Sequence, residues 1–288
     1  MNVWILAARP KTLWAAVSPV IIGIAMAVKS DAFHFLSALA ALFGAVMIQI
    51  GTNYTNDYFD FKKGADTDNR LGPTRATQAG LVSPGAMRTA TLVVFGLAVV
   101  AGIYLVWRGG IPILVIGLLS ILFGVLYTAG RYALGYTGLA DLFVLIFFGP
   151  VAVGGTYFVQ TLTINWTVII AGIAPGLFSV AILSVNNLRD IDNDRAAGKK
   201  TLPVRFGSAF AKYEYLLAII VASLIPVLLY SLNGEQVATV ACAVVIPFAV
   251  PAFKTAFSSE GKILNDVLAT TGKLLLMYAV IFSIGWNL

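Results

Sequence analysis

Charged residues and cysteine are both scarce in this chain, and each shortage excludes a class of protein. Of the 288 residues only 11% are charged, while 59% are hydrophobic. A soluble domain carries about 25% charged residues, so the composition excludes a soluble domain and indicates an integral membrane protein. The single cysteine, Cys242, excludes a disulfide within the chain, and its apolar surroundings in the sequence predict a small packing residue.

Histidine is equally scarce, and the charge that is present gives no sign of nucleic-acid binding. His34 is the only histidine, which excludes a metal centre or a catalytic triad built on histidines. The net charge of +6 comes from basic residues in loops between apolar segments, a pattern that sets membrane topology. We therefore infer no nucleic-acid partner. Residues 1–9 have no basic region ahead of an apolar core, so we expect no cleavable signal peptide.

Long apolar runs of about 17–25 residues are typical of helices that cross a membrane. The sequence predicts nine such spans, and polar insertions at about 57–84 and 189–211 follow the second and the sixth. The predicted spans are 12–28, 34–56, 85–107, 111–129, 138–159, 165–188, 212–232, 236–254 and 265–286. The fold class that follows is an all-α bundle of about nine transmembrane helices, which we expect to form one domain over residues 1–288.

Lysine and arginine are distributed unequally between the two sides of these predicted spans. With the N-terminus in the cytoplasm, sixteen of the 19 basic residues fall in cytoplasmic segments, Lys29 and Arg108 fall on the other side, and Lys273 lies within the ninth span. Cytoplasmic loops are enriched in basic residues. We therefore predict a protein of the inner or plasma membrane with a cytoplasmic N-terminus and an extracytoplasmic C-terminus. A charged residue within a span usually faces the bundle interior, and we expect this of Lys273.

Two aspartate clusters, at 53–67 and 186–201, follow the second and sixth spans and resemble each other. Both contain the pattern Asp-x-x-x-Gly-x-x-Thr. Because four spans separate them, we hypothesise an internal duplication of a four-helix unit. The glycines of the pattern, Gly64 and Gly198, are each expected to end a helix in a left-handed conformation. Carboxylates at a membrane boundary are costly, which favours a functional role for both clusters.

Helical spacing predicts one face of amide and carboxylate side chains at each of these helix ends. The two predicted faces are Asn53, Asp57 and Asp60 in the first cluster, and Asn187, Asp190 and Asp194 in the second. Oxygen ligands of this kind suit Mg2+, which is commonly bound together with substrate phosphates. The four aspartates of these faces are therefore predicted to hold magnesium at a diphosphate site on the cytoplasmic side. Asp192 falls on another face, and we expect a lesser role for it.

Basic and aromatic residues near the clusters are candidate substrate contacts. The basic residues that could neutralise a diphosphate are Lys62, Lys63, Arg189, Lys199 and Lys200, although all of them could equally be topology signals. Arg9 and Lys11, at the start of the first span, could each bind a substrate carboxylate or the diphosphate, and Lys11 could instead simply extend to the membrane surface. Tyr127 and Asp141 flank the loop between the fourth and fifth spans and are further candidates, because an aromatic ring face stabilises a carbocation.

These motifs resemble those of the UbiA superfamily of intramembrane aromatic prenyltransferases. That family carries an Asn-Asp-x-x-Asp motif after helix 2 and an Asp-x-x-x-Asp motif after helix 6. They stand here as Asn56-Asp57-Tyr-Phe-Asp60 and Asp190-Ile-Asp-Asn-Asp194. The family's first motif has a further aspartate four residues on, where this chain has Gly64. Asp66 lies two residues later, so the resemblance assigns it no ligand role.

Three stretches are most similar to the family members that act on 1,4-dihydroxy-2-naphthoate. They are NDYFDFKKGADTDNRLGPTRATQAGLVSP, GPVAVGGTYFVQT and NNLRDIDNDRAAGKKTLPVRFG. The resemblance implies an Mg2+-dependent enzyme that transfers a polyprenyl group from a polyprenyl diphosphate to dihydroxynaphthoate with loss of carbon dioxide. The product would be demethylmenaquinone or its phytyl counterpart. Membrane lipid is the expected surrounding, and we infer no obligate protein partner.

Two other functions are open on the sequence alone. The first is the same fold with a different acceptor, such as 4-hydroxybenzoate, homogentisate or a glyceryl phosphate lipid, against which only the three stretches argue. The second is a cation-coupled secondary transporter, since internal repeats and intramembrane aspartates suit transporters as well. The location of the aspartates separates a prenyltransferase from a transporter. The two aspartate clusters lie at one membrane face, whereas a transport site is expected near the bilayer midplane.

Overall fold

The computed structural model describes residues 2–64 and 71–288, and this part of the chain contains helices and no β-strand. Asp66, Asp68 and Arg70 of the first polar insertion lie outside the described residues. In residues 2–64 and 71–288, nine apolar helices, α1 to α9 in chain order, correspond to the nine predicted spans. They are α1 (Trp14–Lys29), α2 (Phe35–Lys62), α3 (Pro84–Gly109), α4 (Ile111–Leu126), α5 (Ala140–Thr161), α6 (Trp166–Arg189), α7 (Ser208–Asn233), α8 (Val237–Ser258) and α9 (Leu264–Asn287).

The number of membrane crossings is the part of the prediction that these helices do not confirm. Within the described ranges, seven helices are long and apolar enough to cross a membrane. An eighth crossing results if Val3–Thr12 and α1, which meet at an angle of 54°, form one span. The remaining apolar helix, α4, has only 16 residues, whereas a span needs about 20. The chain is an all-α integral membrane protein, and the count of nine spans is not confirmed.

Local side-chain chemistry fixes where several of the helices begin and end. Ser83 caps α3 and Asn165 caps α6, each accepting a hydrogen bond from the backbone amide three residues later. These side chains satisfy amides that have no partner inside the helix. Gly64 and Gly198 have φ angles of 64° and 71°, which confirms the predicted left-handed stops at both clusters. The internal duplication stays a hypothesis.

Helix α6 lies at the centre of the bundle and is the most buried of the seven long helices. It packs against α1, α5, α7 and α9. Aromatic side chains fill much of this core, where the ring centroids of Phe178 on α6 and Tyr278 on α9 are 5.3 Å apart. Cys242 is fully buried among them, as expected for a small packing residue.

Helix α5 is interrupted in its middle, where Phe147–Val151 leave regular α-helical geometry. Gly149 has φ −113° and ψ −112°, and Pro150 follows it. The interruption lies directly against α6. A Cβ on Gly172 would lie 2.7 Å from the Cα of Pro150, and a Cβ on Gly176 would lie 2.4 Å from a carbonyl oxygen of α5. Glycine at these positions therefore lets the two backbones touch.

Lys273 lies on the outside of the bundle, so the prediction that it faces the interior is wrong. It belongs to an exposed stripe of α9 that also contains Asp266 and Val280, each seven residues away. A separation of seven residues returns to the same helix face. The outward position avoids a buried unpaired charge, because the flexible stem can carry the ammonium to the membrane surface.

Candidate functional site

A cavity of about 620 Å³ lies inside the bundle, and its wall changes from polar to apolar. The polar end lies where α2 and α6 end, and its main side chains are Arg9, Asn53, Asn56, Asp60, Arg75, Tyr127, Tyr136, Asn187, Asp190, Asp194 and Lys199. The apolar part is formed by α3, α4 and α5, with Ile103, Leu118 and Phe147 in its wall. The cavity therefore joins a charged compartment to a hydrophobic channel.

Helix α2 contributes one face of its last turns to the polar end. The residues on this face are Asn53, Asn56 and Asp60, at the spacing i, i+3 and i+7. The Asn53 amide nitrogen donates to the Ala8 carbonyl at 2.9 Å and so ties the start of the chain to α2. Asn56 Oδ1 accepts a hydrogen bond from Thr128 Oγ1, also at 2.9 Å. Two amides and one carboxylate of the first cluster thus reach the cavity.

Asp57 does not line the cavity, which corrects the predicted face of Asn53, Asp57 and Asp60. Its two carboxylate oxygens accept hydrogen bonds from the backbone amides of Ala76 and Thr77, both at 2.9 Å. The residue is 2% exposed. The carboxylate therefore holds the loop that follows α2 against the helix, and its lone pairs are directed toward that loop.

The loop held by Asp57 brings Arg75 into the cavity. Arg75 Nη2 donates to Asp60 Oδ2 at 2.8 Å, and the Tyr136 hydroxyl donates to Asp60 Oδ1 at 3.1 Å. Arg75 is one of several basic residues in this polar insertion and Tyr136 is one of 11 tyrosines, and no sequence motif singles out either of them. Arg75 and Tyr136 are distinguished by their contacts with Asp60, which lies in a distant part of the sequence. Helical spacing does not predict such contacts.

The second cluster contributes Asn187, Asp190 and Asp194 to the cavity wall, as the spacing predicts. The helix is not continuous through them, because α6 ends at Arg189 and the short helix Ile191–Ala196 carries Asp194. Asp192 is exposed and pairs with a neighbouring arginine at the surface. Its position agrees with the lesser role expected for it.

Arg189 is buried behind the wall and fixes Asp190 in place. Its Nε donates to Asp190 Oδ1 at 2.8 Å, and its two remaining nitrogens donate to Asn186 at 2.8 Å and to Asn265 at 2.7 Å. All three nitrogens of the guanidinium group therefore donate hydrogen bonds to protein side chains. Arg189 lies next to the cavity but does not line it, so it acts on the site through Asp190.

Each carboxylate in the cavity wall is paired with a basic side chain. The pairs are Asp60 with Arg75, Asp190 with Arg189, and Asp194 with Lys199, whose Nζ is 3.0 Å from Oδ1. Burial raises the pKa of Asp194, and the Lys199 ammonium opposes that rise. Buried charges of one sign are thus balanced locally by the other sign, which keeps the polar end close to neutral.

The Tyr136 ring contacts two lysine ammonium groups. The Nζ atoms of Lys63 and Lys199 are 4.3 Å and 4.9 Å from the ring centroid. Lys63 also donates to the backbone carbonyls of Thr128 and Gly130, at 2.6 Å and 2.9 Å. These contacts fasten the α4–α5 loop over the polar end, and cation–π attraction adds to them.

Six predicted site residues lie outside the cavity wall, and they are Asp57, Lys62, Lys63, Asp141, Arg189 and Lys200. Lys62 and Lys200 are exposed at the surface. Asp141 is buried in the first turn of α5. The structure therefore separates residues that line the cavity from residues that support it or face solvent.

The donors at the polar end fit a hard divalent cation that is bound together with a phosphate. Carboxylate and amide oxygens are the ligands that Mg2+ takes. Among the described residues no three or more His, Cys, Asp or Glu side chains come close enough to hold a metal by themselves. Mg2+ usually keeps waters and takes one or two carboxylates plus substrate phosphates, and this arrangement needs no such cage.

The fold and the cavity define a class of protein, namely a helical membrane protein in which a charged compartment at one membrane face opens into an apolar channel. The chain belongs to the UbiA prenyltransferase family, whose model matches residues 16–261. The resemblance seen in the aspartate motifs is therefore confirmed.

Two relatives in this family are similar to most of the chain. The chain is 36% identical over 281 residues to the 1,4-dihydroxy-2-naphthoate octaprenyltransferase of Mycobacterium tuberculosis, with 96% of this chain and 94% of that protein covered. It is 38% identical over 235 residues to the protein of the same description in Escherichia coli, with coverage of 80% and 76%.

Solved structures share the fold at low sequence identity. A UbiA homolog from Archaeoglobus fulgidus bound to GPP and Mg2+ has a TM-score of 0.73 at 12% identity, with 100% of both chains covered. A structure of digeranylgeranylglyceryl phosphate synthase has a TM-score of 0.61 at 18% identity and covers 99% of this chain and 98% of that one. These similarities show the fold.

Proposed function

We propose that the protein transfers a polyprenyl group from an allylic diphosphate to 1,4-dihydroxy-2-naphthoate with loss of carbon dioxide, giving demethylmenaquinol, the reduced form of demethylmenaquinone, or its phytyl counterpart. The observation that carries the proposal is the cavity, which joins a charged end to an apolar channel inside the membrane bundle. A polyprenyl diphosphate has the same division between a charged head and an apolar tail. The relatives named above supply the acceptor.

The diphosphate is placed at the polar end. Asp60, Asp190 and Asp194 would hold Mg2+ there, and the ion would stabilise the negative charge of the leaving group. Arg75 and Lys199, which pair with two of these carboxylates, can turn toward phosphate oxygens and form charge-assisted hydrogen bonds. Asp57 is assigned a different role, since it holds the loop that carries Arg75.

The tail is placed in the apolar channel. Ile103 and Leu118 line the cavity and are 65% and 60% exposed. We place the exit for the tail between α3 and α4, where a long tail can extend into the bilayer. The apolar wall keeps water away from the allylic cation that forms when the diphosphate leaves.

We place the reacting allylic carbon beside three phenylalanines of the cavity wall, Phe123, Phe143 and Phe147. The Phe123 centroid is 4.6 Å from that of Phe143 and 5.3 Å from that of Phe147. Phe123 is one helical turn from Tyr127, so the group adjoins the polar end. Their ring faces can stabilise positive charge without donating a nucleophile.

Arg9 is assigned to the carboxylate of the acceptor. It lies in the cavity wall and has left-handed backbone angles, φ 51° and ψ 69°. Such a conformation costs a non-glycine residue about 1–3 kcal/mol and is concentrated at functional sites. A guanidinium group binds a carboxylate through two parallel hydrogen bonds. These bonds would turn the carboxylate-bearing carbon of the ring toward the allylic cation.

We also propose that the polar end faces the cytoplasm, with the N-terminus on that side and the C-terminus on the other. The unequal distribution of lysine and arginine supports this orientation. The alternative of a cation-coupled transporter is disfavoured by position, because Asp60 lies two residues before the end of α2 and Asp190 directly follows α6. A transport site is expected near the midplane.

A product assay tests the function. Purified protein would be incubated with prenyl diphosphates of several lengths and, in parallel, with dihydroxynaphthoate, 4-hydroxybenzoate, homogentisate or a glyceryl phosphate acceptor. We expect a prenylated, decarboxylated naphthoquinol, one diphosphate and one carbon dioxide per turnover. EDTA should abolish the reaction and Mg2+ should restore it. Product from another acceptor alone would overturn the choice of acceptor, and no diphosphate release with any of them would overturn prenyl transfer.

A further inference from the structure

Two lysines that the proposed reaction does not use lie near each other on the outside of the bundle. Lys11 is in the short turn Pro10–Thr12 before α1, and Lys273 is in α9. Both side chains are exposed and neither lines the cavity. In the described part of the chain neither has an acidic partner.

A glycine brings the two lysines together. A Cβ on Gly272 would lie 3.1 Å from the Lys11 carbonyl oxygen and 3.2 Å from Cδ1 of Trp14. With standard backbone dimensions, this contact places the Cα atoms of Lys11 and Lys273 within about 11 Å of each other. Each lysine has a flexible four-carbon stem that reaches roughly 6 Å, so one anion can contact both ammonium groups.

The surrounding residues place this pair at a membrane surface. On the outer stripe of α9, Lys273 is followed by exposed apolar Val280 and preceded by exposed Asp266. Trp14 beside it is 37% exposed, and tryptophan is enriched at the boundary between lipid and water. Asp266 lies about 10 Å away along the helix axis, which is too far to neutralise Lys273 directly.

We infer that Lys11 and Lys273 bind the phosphate of an anionic phospholipid, with Trp14 against its glycerol and upper acyl region. The lipid belongs to the leaflet on the side of the aspartate clusters. Two neighbouring ammonium groups at the edge of an apolar surface repel each other, and an anion between them removes that repulsion. Anionic headgroups are the abundant anions at this depth.

The inner side of the same turn faces the cavity. Arg9 and Thr12 line the wall, and the Asn53 amide donates to Thr12 Oγ1 at 3.3 Å and to the Ala8 carbonyl at 2.9 Å. A lipid bound outside would therefore steady the segment that carries Arg9. The site links the composition of the membrane to the polar end of the cavity without entering it.

Native mass spectrometry of the detergent-purified chain can test the site. Phosphatidylglycerol and phosphatidylcholine would compete for the wild type and for the double variant Lys11→Gln with Lys273→Gln. Lys29→Gln with Lys254→Gln is the matched control, since both lysines are exposed elsewhere on the surface. We expect the wild type to retain phosphatidylglycerol about tenfold more strongly, because each interfacial lysine contributes to anionic lipid binding. The double variant should lose this preference and the control should keep it.

Other outcomes overturn the assignment. An unchanged preference in the double variant, or an equal loss in the control, would show general attraction between charges. Displacement by millimolar inorganic phosphate would indicate a site for free anions. Lys11→Arg with Lys273→Arg keeps both charges and should keep the preference, and thermal unfolding of every variant would check that the fold is intact.

Discussion

At the scale of single residues, Asp57 and Asp60 show how neighbouring carboxylates acquire different tasks. Asp60 lines the cavity and pairs with Arg75, while Asp57 accepts two backbone hydrogen bonds from the loop that carries Arg75. By helical spacing alone, Asp57 and Asp60 both lie within about 60° of Asn53 around the helix axis. Spacing therefore does not distinguish the two carboxylates. What distinguishes them is where the loop folds back on α2.

These tasks predict different responses to the same substitution. Asp60→Asn should lower kcat by about 10²–10³-fold, or about 2.7–4 kcal/mol, and should raise the Mg2+ concentration needed for half-maximal rate. Asp57→Asn should raise KM for the prenyl diphosphate, because one of the two hydrogen bonds from backbone amides to this side chain is lost and the loop that carries Arg75 shifts. The Mg2+ requirement should be unchanged. Asp192→Asn, in an exposed position, is the control.

Steady-state kinetics over a range of Mg2+ concentrations would make this comparison. If Asp57→Asn raised the Mg2+ requirement as much as Asp60→Asn, Asp57 would return to the set of metal ligands. Thermal unfolding of each variant would separate a kinetic effect from a loss of folded protein.

At the scale of helices, the contact between α5 and α6 depends on glycine. Gly172 and Gly176 meet the interrupted part of α5 at distances that no Cβ tolerates. The backbone angles of Gly149 are outside the helical region. Because the interruption turns α5 within the wall of the cavity, this contact also shapes the apolar channel.

Gly176→Ala should therefore destabilise the protein by about 1–3 kcal/mol, as expected when a methyl group is forced into a packed interior. Gly96→Ala is the matched control, since that glycine is in an exposed part of α3 and a Cβ there meets nothing within 4 Å. Thermal denaturation in detergent would measure both. Equal midpoints for the two variants would contradict close backbone contact between α5 and α6.

The positions of the helices were largely predictable from the sequence, and the features that were not predicted have physical reasons. Apolar runs predicted the position of each long helix, because membrane helices are defined by composition and length. The interruption at Gly149 was missed since it lies within one such run. Lys273 was placed inside by a general rule, although Asp266 one heptad earlier already marked that face as outward. Contacts across the chain, such as Arg75 with Asp60, leave no periodic signal.

At the scale of the whole molecule, the number of crossings decides the side on which the chain ends. The seven long helices, the bent pair and α4 give nine crossings if each of them spans the membrane. Helix α4, with 16 residues, extends about 24 Å. A bilayer core of about 30 Å can accommodate this by local thinning.

A reporter fused after Leu288 should therefore be extracytoplasmic, and a reporter fused after Lys200, beside the second aspartate cluster, should be cytoplasmic. The pair of fusions controls for expression and for reporter activity. A cytoplasmic signal from the fusion after Leu288, with the other fusion unchanged, would mean an even number of crossings between Lys200 and the C-terminus instead of the predicted three.

The exit proposed for the tail between α3 and α4 determines which concentration of substrate the cavity meets. Residues such as Ile103 and Leu118 line the channel and are largely exposed, so with an exit there the bilayer is the solvent in which the cavity meets a long-tailed substrate. Occupancy then follows the mole fraction of that substrate among the lipids. Added inert lipid or detergent dilutes it while its molarity in the tube stays constant, and an affinity expressed per litre of solution has no fixed value for such a cavity.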